Sequence, residues 1–188
     1  ENIAVLMDEK RVFKPSKDLV NNSNVKQWMD KHNIKTAEEL YKKTGNWEWF
    51  WGEIAKELVE FYTPPKKTVE WNAPWVKWYI DAKYNIVHDA IDKHVKTWRK
   101  NKLWLVWVGE RNEVRTYSYF ALNRDVCKFA NVLKAMGVRK GDRVSIYMPR
   151  IPEIVIAMLA CAKIGAIHSV VYGGFSVDAL QGRIEDSE

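Results

Sequence analysis

Apolar positions recur at helical spacing in separate stretches between residues 25 and 98, and short continuous apolar runs appear beyond them. Trp47, Phe50, Ile54, Leu58 and Phe61 fall on one face, with Glu53, Lys56, Glu57 and Glu60 between them. That spacing predicts a strongly amphipathic helix carried as far as Pro64-Pro65. Upstream, a short helix is expected over residues 25–32. Another follows Thr36, whose hydroxyl can cap it while Glu39 reaches back, and Gly45-Asn46 stops it. Residues 1–23 carry no sustained periodicity and read as an extended or loosely docked arm. Residues 66–84, with Trp71, Trp75, Trp78 and Tyr79, read as an aromatic-rich linker pinned to a domain surface, with an aromatic binding platform as the alternative. Val87, Ile91, Val95 and Trp98 then predict a helix over residues 85–98.

The second half is patterned differently. Residues 103–108 and 114–117 are short apolar runs around a polar Gly109–Glu113 segment, the signature of a β-hairpin. Leu122, Val126, Phe129, Leu133 and Met136 predict a long helix closed by Gly137. A βαβ unit follows: a strand over residues 143–148, a helix opened by Pro152 and capped by Gly165, and a strand over residues 167–171. So short a crossover between apolar strands implies a parallel pair. Gly173-Gly174 lies just past the second strand, and Ser176 and Asp178 suit the start of a last helix running to about residue 186. A sheet of this kind calls for a further strand after that helix.

Composition narrows the function classes. Charged residues make up 29% of the chain and apolar residues 47%, as in an ordinary globular protein, while ten Trp are an excess. The formal net charge of +6 is spread along the chain. Its densest cluster, Lys93, Lys96, Arg99, Lys100 and Lys102 around Trp98, reads as a solvated helix end more than as a nucleic-acid patch. Cys127 and Cys161 sit in apolar helical patterns and are expected to be buried, reduced thiols. The longest apolar run, residues 154–162, is too short to span a bilayer. No basic-then-apolar leader opens the sequence, so Asn21-Asn22-Ser23 is expected to be an accidental glycosylation match. A cytoplasmic setting, with no membrane and no nucleic acid, is the expectation.

Candidate chemistry is sparse. No Walker A sequence and no G-x-G-x-x-G occurs. The four histidines make no metal-ligand spacing with one another or with the cysteines, so no metal site is expected. His168, inside an apolar strand, is expected to be a satisfied core histidine. The one position with a specific physical case is the turn Tyr172-Gly173-Gly174-Phe175. Open α/β sheets bind ligands at the carboxyl ends of their strands, where glycines admit close backbone approach. A turn requiring positive φ accounts for the two glycines equally well.

The wording of the C-terminal half resembles a known family. Phe129-Ala130-Asn131-Val132-Leu133, Gly137-Val138-Arg139-Lys140-Gly141-Asp142-Arg143-Val144, Ile146-Tyr147-Met148-Pro149 and Ile151-Pro152-Glu153 look like the AMP-forming acetyl-CoA synthetases. So do Ala157-Met158-Leu159-Ala160-Cys161-Ala162, Gly165-Ala166-Ile167-His168-Ser169-Val170-Val171, Gly173-Gly174-Phe175-Ser176 and Gly182-Arg183-Ile184-Glu185-Asp186. The similarity is dense from residue 123 to residue 188, looser over residues 75–94, and a matter of style before residue 70.

The resemblance implies an α/β fold, with an N-terminal helical region followed by part of the parallel-sheet subdomain of the adenylate-forming (ANL) large domain. It divides the chain into a helical and aromatic-rich extension, residues 1–84, and the incomplete start of the AMP-binding domain, residues 85–188. It implies an acid-thiol ligase. A small carboxylic acid (acetate, propionate or a small hydroxy acid) reacts with ATP-Mg²⁺ to give an acyl-adenylate, and the CoA thiol then displaces AMP. Tyr172, Gly173, Gly174 and Phe175 match the family turn bordering the CoA pantetheine tunnel, with Tyr172 where Phe is usual and Arg150 where an apolar residue is usual. The family's phosphate loop, acyl pocket and catalytic lysine come later in its order. No catalytic residue is therefore assigned, and the chain alone is expected to be inactive, its partner being the remainder of the synthetase. The alternative is a non-catalytic truncated module that binds CoA or a partner subunit.

Overall fold

A computed structural model describes residues 13–187, and the chain divides between Ala55 and Lys56 into two compact units. The expected arm falls partly outside the described residues, in 1–12. Within 13–23 a one-turn helix α1 (Lys17–Asn21) appears where no periodicity announced it, because Ser16 Oγ accepts from the Leu19 amide.

The first unit is helical. Helices α2 (Asn24–Lys31) and α3 (Ala37–Thr44) are opened by Ser23 and Thr36, whose hydroxyls accept from the amides of Lys26 and Glu39. Ser23 thus has a structural task as a helix cap. The Glu39 carboxylate reaches back to the Lys35 amide at 2.7 Å, so donors ahead of the helix are satisfied. Met29 and Ile34 are buried, linked by a 2.8 Å bond from the Ile34 amide to the Met29 carbonyl. The Trp28 ring packs against His32, Trp49 and Phe50.

Helix α4 (Trp47–Leu58) opens with Asn46 Oδ1 accepting from the Trp49 amide. It stops well short of Pro64-Pro65. Phe61, placed on the helix by its spacing, instead packs in a loop against Tyr79 and Tyr84.

In the second unit the aromatic-rich linker is a hairpin. β1 (Lys67–Asn72) pairs antiparallel with β2 (Trp75–Ile80), with a cis Ala73–Pro74 bond between them. Its cross-strand partners, Val69 with Trp78 and Trp71 with Val76, are the aromatic and β-branched pairs that stabilise such ribbons. The expected helix over residues 85–98 is broken up: a π-helical turn (His88–Asp92) runs into α5 (Lys93–Val95), and a 3₁₀ turn (Trp98–Asn101) follows. Trp98 accordingly leaves the apolar face and is exposed.

Strands β3 (Leu103–Val108) and β4 (Val114–Ser118) form the expected hairpin. Helix α6 (Tyr119–Ala135) follows, capped by Ser118, with Gly137 at φ 93° beyond its end. β5 (Arg143–Met148) pairs in parallel with β6 (Ile167–Tyr172), joined by α7 (Pro152–Ile164). Gly165 closes α7 in the left-handed conformation, φ 77°. Helix α8 (Val177–Glu185) is last.

The core of this unit joins Val87 and Ile91 of the broken helix, Leu122, Val126, Ala130 and Leu133 of α6, and Ala160, Cys161 and Ala166 around α7. Each fully buried Ile, Leu or Val side chain contributes about 1.5–3 kcal/mol relative to exposure. Asn85 ties the elements together. Its Oδ1 accepts from the Val87 amide at 3.0 Å while its Nδ2 donates to the terminal α7 carbonyls of Ala162 and Lys163. Asp92 and Lys163 add an ion pair at 2.6 Å. Among the described residues no helix is long and apolar enough to cross a membrane.

Candidate functional site at the carboxyl ends of the parallel strands

The parallel register aligns Tyr147 with Val171 and Met148 with Tyr172, so both strands end at the same level. There the chain turns through Tyr172-Gly173-Gly174-Phe175, closed by the Phe175 amide donating to the Tyr172 carbonyl at 3.0 Å. Ser176 Oγ accepts from the Ala179 amide and starts α8, as its position predicts, with Asp178 in the first turn. The turn is held from below. The Tyr147 hydroxyl lies 3.1 Å from the Gly173 carbonyl and 2.9 Å from that of Phe175, and its single proton serves one or is shared by both.

The two glycines are not explained by positive φ, which occurs at Gly137, Gly141 and Gly165 but not in this turn. They are explained by proximity. A Cβ on Gly173 would sit 3.1 Å from the Met148 carbonyl oxygen and 3.3 Å from its carbon, both backbone atoms at the end of β5. A Cβ on Gly174 would sit 2.7 Å from the Tyr172 ring. The vacant Cβ positions therefore face the protein itself, and the surface the turn offers to solvent is aromatic. Tyr172 and Phe175 are 58% and 39% exposed and meet edge to face, centroids 5.7 Å apart.

Two guanidiniums flank these rings. Arg150 lies over Tyr172 at 5.8 Å and Arg183 over Phe175 at 4.9 Å. The backbone of Arg150 is fixed by the Trp107 indole, which donates to its carbonyl at 2.7 Å. Next to it, Glu153 accepts from Arg115 at 2.7 Å. That hydrogen bond outweighs burial and holds the Glu153 carboxyl below its usual value. The hairpin β3–β4 thus anchors the loop after β5, a link from residue 107 to residue 150 that the one-dimensional pattern does not announce.

Other candidates read differently in three dimensions. His168 is half-buried in β6, opposite Val144, and so is not the core histidine its apolar strand predicts. Cys161 is buried, with its thiol pushed up by desolvation; Cys127 is only half-buried, its sulfur 3.6 Å from Asn123 Oδ1. Lys93, counted in the solvated basic cluster, is partly buried and pairs with Asp89 at 2.6 Å. Arg99 of that cluster stacks on Trp98 at 5.2 Å.

Glu60, His88 and Asp89 converge closely enough to hold a metal ion, a grouping that no sequence spacing reveals. Lys93 supplies the positive charge there instead, 2.6 Å from Asp89 and 3.8 Å from Glu60. His88 Nε2 lies 2.8 Å from the Glu60 carboxylate. In the first unit an open cleft of about 560 Å³ is lined by Ile34, Glu39, Lys43 and Trp49 among others. Its Lys43 is already committed to the His32 carbonyl and the Trp49 ring.

Comparison with known proteins places the chain in a family. A family model described as "AMP-binding enzyme" matches residues 91–188, and one described as "Acetyl-coenzyme A synthetase N-terminus" matches residues 37–90. An acetyl-coenzyme A synthetase of Methanothrix thermoacetophila is 46% identical over 187 residues, covering 98% of this chain and 28% of that protein. One from Streptomyces avermitilis is 42% identical over 189 residues, covering 100% and 27%. The solved acetoacetyl-CoA synthetase from Streptomyces lividans superposes with a TM-score of 0.83 at 25% identity, over 93% of this chain and 28% of that one. The chain therefore spans a little over a quarter of the length of these relatives. The fold is that of the expected α/β class: a helical region followed by part of the parallel-sheet subdomain of the adenylate-forming large domain. With more than half of its residues inside that family model, the chain belongs to the AMP-binding enzyme family.

Proposed function

We propose that this chain is the N-terminal portion of an AMP-forming short-chain acyl-CoA synthetase. The whole protein would join acetate, propionate or a small hydroxy acid to CoA through an acyl-adenylate, consuming ATP with Mg²⁺. The observation that carries this reading is the order of the two family matches, which follow one another from residue 37 to residue 188. On this reading residues 1–84 are an extension and residues 85–188 the opening part of the AMP-binding domain. The remainder of the synthetase chain is its partner, and the cytoplasm is its place of work.

Tyr172, Gly173, Gly174 and Phe175 would border the arm of the bound CoA. Two features support this role: the turn stands at the carboxyl ends of parallel strands, where such sheets bind ligands, and its two rings are turned to solvent. The turn would supply binding and orientation only. No step of the adenylation is assigned to residues of this chain.

The test is acid-dependent exchange of pyrophosphate into ATP. A full-length protein containing this chain should show exchange that requires a short-chain acid, whereas residues 1–188 alone should show none. Exchange by the 188-residue chain, or a full-length protein silent with every short acid, would overturn the reading.

A further inference from the structure

Tyr147 is the side chain through which β5 holds the glycine turn. It lies in register with Val171, and its phenol reaches beyond that partner to the carbonyls of Gly173 at 3.1 Å and Phe175 at 2.9 Å. Gly173 rests on the same strand end, where a Cβ would sit 3.1 Å from the Met148 carbonyl oxygen. The strands beneath are fixed, since Ile146 and Val171 are buried. Tyr147 itself is 44% exposed, so its ring is no core element and its hydroxyl is its specific contribution. The turn's own closure, from the Phe175 amide to the Tyr172 carbonyl, sets its curl but not its distance from β5. That distance is set by the packing of Gly173 and by the phenol.

We propose that Tyr147 is a positioning residue for thioester formation: through the Gly173 and Phe175 carbonyls it holds the turn at the height at which the thiol arm passes. The proposal rests on the reading of that turn as the border of the CoA arm. It adds a residue that touches no ligand and acts only through the backbone it bonds. In the step concerned, the thiol sulfur bonds to the acyl carbon while the acyl–oxygen bond to AMP breaks. AMP leaves with the electron pair, the thiol proton passes to solvent, and Tyr147 exchanges no proton. A turn displaced from its place binds the arm more weakly. Adenylation comes before CoA and needs no arm, so it is untouched.

The test compares Tyr147→Phe with the wild type in the full-length protein containing this chain. Phe keeps the half-exposed ring and removes only the hydroxyl, and native circular dichroism checks the fold. Thioester formation is followed with CoA varied at saturating ATP and acid, and acid-dependent pyrophosphate exchange is measured without CoA. KM for CoA should rise about fivefold, the scale on which one neutral hydrogen bond moves an equilibrium. The value of kcat and the exchange rate should each stay within about twofold, because binding of the arm alone is weakened. Tyr172→Ala, which alters the turn directly, should also raise KM for CoA.

If Tyr172→Ala raises KM for CoA and Tyr147→Phe does not, the turn keeps its role and the positioning role of Tyr147 is overturned. A parallel loss of exchange in Tyr147→Phe overturns it too, since that marks a purely structural residue, and so does a lowered kcat at unchanged KM. If neither variant moves KM while exchange is intact, the reading of the turn as an arm border falls and takes Tyr147 with it. A wild type without exchange for any short acid overturns the synthetase reading itself, before either variant is compared.

Discussion

The two glycines of the turn look interchangeable in sequence and are not. A methyl on Gly173 would press on the Met148 carbonyl, backbone that is locked into the β5–β6 ladder and has no rotamer to escape through. A methyl on Gly174 would press on the ring of Tyr172, which can swing. Gly173→Ala is therefore expected to destabilise the chain by about 1–3 kcal/mol, the usual range for overpacking, whatever occupies position 172. Gly174→Ala should cost less in a Tyr172→Ala background than in the wild type. That difference is a coupling of about 1 kcal/mol, within the range for residues in direct contact. Urea midpoints for the single and double variants measure this; equal coupling for both glycines would remove the distinction.

The sequence carried the presence of this turn and the identity of its residues, but not the reason for its glycines. Its periodicity leaves open a positive-φ turn and a ligand loop, and the structure gives a third answer, close packing against β5. Arg150 likewise has no local pattern to announce it. Its neighbours Trp107 and Tyr172 are 43 residues before it and 22 after it in sequence, and only the fold brings them together.

Elements whose signals are local were legible, and those set by packing were not. Helix α7 carries Pro152 in its first turn and Gly165 at its end, so its bounds follow from backbone chemistry alone. The hairpin β1–β2 is obscured because β2 is apolar at neighbouring positions, Trp75-Val76 and Trp78-Tyr79-Ile80, and its strands are specified by cross-strand Trp–Val pairs that a linear reading does not see. The π-helical turn His88–Asp92 also lay beyond reach. Such turns are rare and carry no local signature; this one holds Asp89, which meets Lys93 and the Glu60 amide.

That network makes a pH prediction. Burial opposes ionisation of Asp89, but hydrogen bonds from Lys93, the Glu60 amide and Tyr84 outweigh it and hold the carboxyl below its ordinary value. A depressed carboxylate contributes stability that is present above the unfolded-state pKa, near 3.8. The contribution is lost as pH falls through the lower folded-state value. Denaturation midpoints should therefore drop more steeply below about pH 4 for the wild type than for Asp89→Asn, which has no proton to gain. At neutral pH the variant should be the less stable of the two, because Lys93 and the Glu60 amide lose their charged acceptor. Parallel acid limbs for the two proteins would show that the network is not coupled to folding.

At the scale of the molecule, a sheet of two parallel strands is below the size that such sheets normally need. Parallel strands are buried on both faces in complete domains, and an isolated pair is marginal. Here β6 pairs with β5 alone among the described residues, and Ile167, Val170 and Tyr172 remain substantially exposed. Relatives of more than three times this length share the fold, so the same strands have more protein available to cover them there. For the 188-residue chain this leaves an apolar edge with unpaired backbone donors and acceptors, the template along which strands add. The β6 amides not bonded to β5 should exchange with solvent at close to intrinsic rates, while amides of α6 in the buried core exchange slowly. The hydrodynamic radius should also rise with protein concentration as edges associate. A monomer of constant radius over a hundredfold concentration range, with every β6 amide protected, would mean that the edge is already covered from within the chain.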